Sequence, residues 1–179
     1  MNFRLIVAAT NLANTINNSA PMDALSVEEF VAGMLYGFVQ KDDLAELEKC
    51  ITNLPILEQE VEEAIADFEK GDLSDILKGV EVAGKIIQQL PEDLKDCENI
   101  QDDLKRLEAY AQIFTDPTKL AETVFKNFVA HDKAVLADIE DLTEEVKDGS
   151  PKAYYQAGDD VADVVVQLLG PVPQMNTLY

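Results

Sequence analysis

The sequence predicts an all-α fold, a bundle of about seven or eight antiparallel helices, on three observations. Apolar residues recur three and four positions apart from about residue 27 to residue 169, the spacing of a helix with one buried face. Capping residues, prolines and glycines punctuate these stretches at positions where helices start and stop. The one β-branched run, Val164-Val165-Val166, falls inside such a helical stripe. Connections between stretches are short, which favours helical hairpins.

The helices follow in order. Ser26-Val27-Glu28-Glu29 is a capping box, in which Ser26 accepts from the backbone at Glu29 and the Glu29 carboxylate reaches back. The helix it opens carries Phe30, Met34 and Phe38 at fourfold spacing, with Gly33 and Gly37 making a G-x-x-x-G that lets another helix approach closely. Asp42 or Asp43 caps a second helix with the face Leu44, Leu47, Cys50 and Ile51. Pro55 suits the first turn of a third, striped by Leu57, Val61, Ile65 and Phe68 and ended by Lys70-Gly71. Asp72 caps a fourth through Ile76, Leu77, Val80, Gly84, Ile87 and Leu90, expected to stop at Pro91. A fifth is expected from about Glu92 to Phe114, carrying Leu94, Cys97, Leu104, Leu107 and Ala111.

Asp116-Pro117 restarts the pattern, Asp at the cap and Pro at the first helical position. The sixth helix places Leu120, Val124 and Phe128 together, and a break is expected around His131-Asp132 before a seventh with Val135, Ile139, Leu142 and Val146. Gly149 closes that helix. Ser150-Pro151 opens an eighth with Tyr154, Gly158, Val161, Val165 and Leu168, ended by Gly170-Pro171-Val172-Pro173. A weak repeat links the Gly71-Asp72 and Gly149-Ser150 turns, each followed by a helix with small residues in its first half, so a duplicated helical hairpin is one arrangement. Any αα-hairpin needs a Gly turn and a cap, so coincidence is the other.

Composition divides the chain. Of 179 residues, 35 are acidic and 14 basic, a net charge of -21 at pH 7. Residues 1–22 contain no acid and one base, Arg4, and run from Leu5-Ile6-Val7-Ala8-Ala9 into small polar residues. That is the layout of a secretory signal with a short apolar core; a docked amphipathic tail is the alternative. The division expected is residues 1–22 as signal or tail, 23–170 as an acidic helical domain and 171–179 as a tail. Nucleic acid and anionic bilayers are excluded as favoured partners, since both recruit Lys and Arg. No run reaches the ~20 apolar residues of a membrane span.

A resemblance is carried by the F-x-x-G-x-x-x-G helix (Phe30, Gly33, Gly37), a Cys one helix later (Cys50), a second Cys (Cys97) and the Gly-Asp/Ser hairpin turns. Over most of residues 27–170 the chain resembles small helical proteins, secreted or lumenal, that ciliates encode in many copies. The resemblance implies no activity and transfers no catalytic residue.

Few residues invite chemistry. Cys50 and Cys97 are either two buried thiols or a disulfide, and a secretory route favours the disulfide. No Cys-x-x-Cys, Gly-x-Ser-x-Gly or phosphate-binding glycine loop is present. One His and two Cys are too few for a Cys/His zinc site. His131, expected near a helix end, reads as a capping or surface residue. The acid clusters Glu58, Glu60, Glu62, Glu63 and Asp138, Glu140, Asp141, Glu144, Glu145 read as solvated faces, with diffuse divalent-cation binding as a side effect of their field. A hydrolase would need one carboxylate with a strongly raised pKa in a cleft.

The expected function is therefore non-enzymatic, with no catalytic residue, metal or cofactor. The chain is expected to be an acidic interaction or structural protein, secreted or lumenal, with cytoplasmic as the alternative. Its partner is expected to be a protein, basic or a second copy, with Tyr154, Tyr155 and Pro171-Val172-Pro173 as a self-association surface. The alternative function is a carrier of a lipid or other small hydrophobic ligand, in a cavity formed by Phe30, Gly33, Met34, Tyr36, Gly37, Phe38, Gly84 and Gly158.

Overall fold

The structure, a computed structural model, describes residues 22–41, 43–50 and 55–174. The expected signal or tail over residues 1–22 thus lies outside the described residues except for Met22. That residue is buried, and its backbone N–H donates to Glu62 Oε1 at 2.8 Å. Among the described residues the fold is all-helical: α1 (Ala24–Val39), α2 (Leu44–Cys50), α3 (Pro55–Phe68), α4 (Leu73–Asp93), α5 (Gln101–Ala111), α6 (Pro117–Asp148) and α7 (Pro151–Leu169). Short 3-10 turns at Glu98–Ile100 and Gln112–Thr115 flank α5.

Local chemistry sets most boundaries as expected. Asp72, Asp116 and Ser150 accept from backbone N–H groups of the first turns of α4, α6 and α7, satisfying donors a helix start leaves unpaired. Gly71 and Gly149 take left-handed backbone, with φ of 72° and 69°, so both hairpin turns reverse at a residue without a Cβ.

Four boundaries differ from expectation. Asp23, not Ser26, caps α1: its carboxylate accepts from the Ser26 N–H at 2.8 Å, and hydrogen bonds from the Ser26 side chain and backbone hold its pKa low. The helix α4 continues through Pro91 to Asp93; proline removes one donor, and Leu94 N–H still reaches the Leu90 carbonyl at 2.9 Å. The fifth helix is shorter than expected, because 94–100 forms a turn in which the Gln101 side chain donates to the carbonyls of Leu94, Lys95 and Cys97. The break at His131-Asp132 does not exist. One helix of 32 residues runs through it, since none of these residues interrupts the backbone ladder, and His131 is an exposed residue in mid-helix.

The core is one cluster reaching every helix, and its centre is α1. Eleven residues of α1 are buried, among them Phe30, Val31, Met34 and Leu35. Helix α7 lies against α1 on one side and α6 on the other. The α6–α7 pairing is antiparallel, as Asp138 with Gln167 and Glu145 with Asp160 show. Helices α3 and α4 form the other hairpin, and α5 packs on α4.

The closest approach in the fold is between backbones. A Cβ on Gly33 would overlap the Tyr155 carbonyl oxygen, and one on Gly158 would overlap the Phe30 carbonyl oxygen. Gly37 would meet the Ala162 Cβ and lie 2.7 Å from Asp159 Oδ1. The expectation of close helix packing at the G-x-x-x-G holds, and its partner is α7.

The segment after α7 is no free tail where it is described. The Tyr110 hydroxyl donates to the Gly170 carbonyl at 2.8 Å, Arg106 Nε donates to the Pro173 carbonyl at 3.0 Å, and Val172 is buried. Residues 175–179 lie outside the described residues.

Gly33→Ala is expected to cost about 3 kcal/mol, because the Cβ meets backbone that cannot rotate away. Gly71→Ala, with open space around it but positive φ, is expected to cost only about 1 kcal/mol. Urea unfolding midpoints of the two variants check the contrast.

Candidate functional site

The cysteines lie at element ends. Cys50 is the last residue of α2 and Cys97 lies in the turn after α4. Their Cα atoms are 5.4 Å apart, and the structure joins the sulfurs. Polar contacts reinforce the same seam. Asn99 Nδ2 donates to Glu46 Oε2 at 2.8 Å, and Lys41 Nζ reaches Asp43 at 3.0 Å and Asp103 at 3.2 Å. The disulfide and these bonds fasten the short α2 to the chain on either side of α5's start.

Seven of the eight residues assigned to a ligand cavity lie on α1 or α7 and one on α4. Gly33, Gly37 and Gly158, with the Phe30 and Met34 backbone, form the α1–α7 contact, and Phe30, Met34 and Phe38 are buried in the core. Tyr36 stacks obliquely on Tyr155 with ring centroids 6.1 Å apart, and Phe38 meets Tyr110 at 5.9 Å. Gly84 lies apart on α4, where a Cβ would overlap the Phe114 ring. Two surface concavities lie at the start of α7, of about 350 Å³ beside Glu144, Glu145 and Asp148 and about 590 Å³ beside Glu29, Leu44 and Tyr155. Neither is lined by any of the eight.

The expected self-association residues are likewise engaged within the chain: Tyr155 by Tyr36 and Val172 by the core.

The acids between α6 and α7 are not all solvated. Asp138 and Glu145 turn toward α7 and are half-buried with Asp159, Asp160 and Asp163. Gln167 Nε2 donates to Asp138 Oδ2. Glu145 and Asp160 hydrogen-bond to each other, so one proton serves both carboxyls and burial raises the pair above the ordinary carboxylate range. Burial, with Asp163 and Asp138 nearby, pushes Asp159 up to about 6. Burial also raises Asp138 and Asp163. Among the described residues no group of three or more His, Cys, Asp or Glu side chains is placed to hold a metal ion. Titration of this cluster acts on how α6 is held to α7.

One feature escaped the sequence reading. Phe125, Val129 and Leu136 on α6 are 60%, 65% and 41% exposed. Spaced by four and seven, they share one helix face, roughly a right angle away from the buried stripe of Val124, Val135 and Leu142. The signal was present as a second apolar period. The expected break at His131 had cut it in two.

A protein-family model described as SctB-like, secreted protein B-like, matches residues 10–170. No curated protein and no solved structure matches the chain. The matched family supports the secreted character of the resemblance drawn above and does not bear on a ciliate origin.

Two outcomes follow from this geometry. Carboxyls raised in the fold stabilise it fully below their unfolded value of about 4, and that stability is lost as pH rises through about 6 for Asp159 and further for the Glu145–Asp160 pair. Thermal unfolding is therefore expected at higher temperature at pH 5 than at pH 9, and Asp160→Asn is expected to flatten the difference. Reduction of the disulfide, which closes a loop spanning a sequence separation of 47, is expected to cost about 4 kcal/mol, read as a lower denaturation midpoint in reductant.

Proposed function

The chain belongs to the SctB-like, secreted protein B-like, family, and from that premise we propose that it is a secreted, non-enzymatic interaction or structural protein that binds a protein partner through the outer face of α6. The observation that carries the reading is the exposed Phe125, Val129 and Leu136 stripe in a fold whose other large apolar side chains, Leu25 apart, are buried or partly buried among the described residues. Exposed apolar side chains gathered on one face mark binding surfaces more often than chance exposure does. The Cys50–Cys97 bond suits an oxidising, extracellular setting. No helix among the described residues is long and apolar enough to cross a membrane.

Residues 23–170 act in this reading as one acidic helical domain, whose acid-rich faces keep like molecules apart and attract basic segments of a partner at short range. Within it, α1, α7 and the disulfide are scaffold, and α6 is the presented element. The hydrolase alternative gains raised carboxylates at α6–α7, but they are in contact with each other across a helix seam. The carrier alternative gains no shared cavity.

The test is capture of secreted-fraction proteins on immobilised, oxidised protein, with Val129→Ser and Leu136→Ser as the comparison. Loss of specifically retained bands in both variants, with unchanged circular dichroism, is the expected result. Retention identical to the parent protein would remove α6 from the reading.

A further inference from the structure

The charge on α6 is divided along its length. From Pro117 to Ala137 it carries Lys119, Lys126 and Lys133 against Glu122 and Asp132; from Asp138 to Asp148 it carries six acids against Lys147. In a chain of net charge -21, its first two-thirds are thus slightly basic, and that is the part bearing Phe125, Val129 and Leu136. Lys119, Lys126 and Lys133 recur every seven residues, forming a row beside the apolar stripe, and Glu140 takes the next place in the row. Asp132 falls within the stripe, between Val129 and Leu136. Among the described residues, Lys126, Asp132 and Lys133 are exposed and have no ion-pair partner in their own chain.

We propose that the outer face of α6 pairs antiparallel with α6 of a second copy, making a two-fold symmetric dimer. This rests on the reading of α6 as a binding face and names its occupant. A two-fold axis near Ala130 sets Phe125 against Leu136 of the second copy and Val129 against its Asp132, each contact occurring twice. The flanking row then runs against itself. Lys119 meets Glu140 of the second copy at both ends. Lys126 and Lys133 of opposite copies approach each other in the middle, and Asp132, the single acid in the seam, lies at the far edge of the stripe from them, its field offsetting part of that repulsion. Elsewhere two such acidic molecules repel. The least acidic part of α6 is where the repulsion is weakest.

The test is sedimentation velocity of the full, disulfide-bonded chain from micromolar to a few hundred micromolar. The expected result is a concentration-dependent monomer–dimer equilibrium that strengthens from low to physiological salt, as screening shortens the reach of the mutual repulsion. Phe125→Ser and Leu136→Ser are each expected to weaken the dimer tenfold or more, as removal of a buried large apolar side chain does, with circular dichroism unchanged. Lys119→Glu alone is expected to weaken it, and Lys119→Glu with Glu140→Lys to restore it, which non-specific stickiness would not do. A monomer at all concentrations overturns the proposal, whatever else covers the stripe: residues 1–21, a foreign helix or a lipid surface. So does a dimer indifferent to both serine substitutions, or a double swap that fails to restore. A monomer whose Leu136→Ser variant still loses captured partners leaves α6 as a binding face for another protein. A monomer whose capture is also unaffected removes both readings.

Discussion

The meeting of the α1 and α7 backbones at Gly33 and Gly158 is the constraint on which the rest of this fold depends. Helix α1 buries eleven residues and has little polar surface to offer water, so it needs cover on several sides. It obtains the closest of that cover from α7, whose Tyr155 and Asp159 backbone atoms occupy the space where side chains on Gly33 would stand. With α7 pressed this close to α1, only one broad face of α7 remains for α6. The position of α6, and hence of everything it presents, is set by two residues that lack a side chain.

The same closeness explains the electrostatics. Helix α7 is packed on two sides, and its acids Asp159, Asp160 and Asp163 emerge at the seams between helices instead of into bulk water. A carboxylate at such a seam loses part of its hydration and gains carboxylate neighbours from α6, and both effects favour the protonated form. The excess negative charge of the chain is therefore not a uniform coat. Within α6 it falls on the last third, against α7, while the first two-thirds are left slightly basic.

Much of this architecture was legible in the sequence because helix ends are decided locally. Asp72, Asp116-Pro117, Gly149 and Ser150-Pro151 each act within a few residues of themselves, and each stands in the structure at the end it signals. The pairing of Cys50 with Cys97 was legible as one of two alternatives, since only two cysteines exist. What local rules could not give was long-range company. Nothing near Gly33 in sequence says that Tyr155 fills its space, so residues that make a contact read as the lining of a cavity. Nothing near Glu145 says that Asp160 faces it, so Glu145 reads as solvated. At His131-Asp132 the backbone ladder continues without interruption, and a break expected there divides the Phe125, Val129 and Leu136 face.

The contact between α1 and α7 also dictates an order of events. Its two halves are separated by most of the chain, whereas the α3–α4 and α6–α7 hairpins close over short turns. Hairpins of that kind form quickly, and contacts between distant segments form late. The most apolar helix of the protein is thus made early and covered late, only when α7 has followed it. During synthesis and export α1 is a hydrophobic segment without its main partner, and truncation anywhere before α7 leaves it so permanently. The covering of α1 is thus a single late closure, and the arrival of α7 is the step that takes its apolar surface out of water.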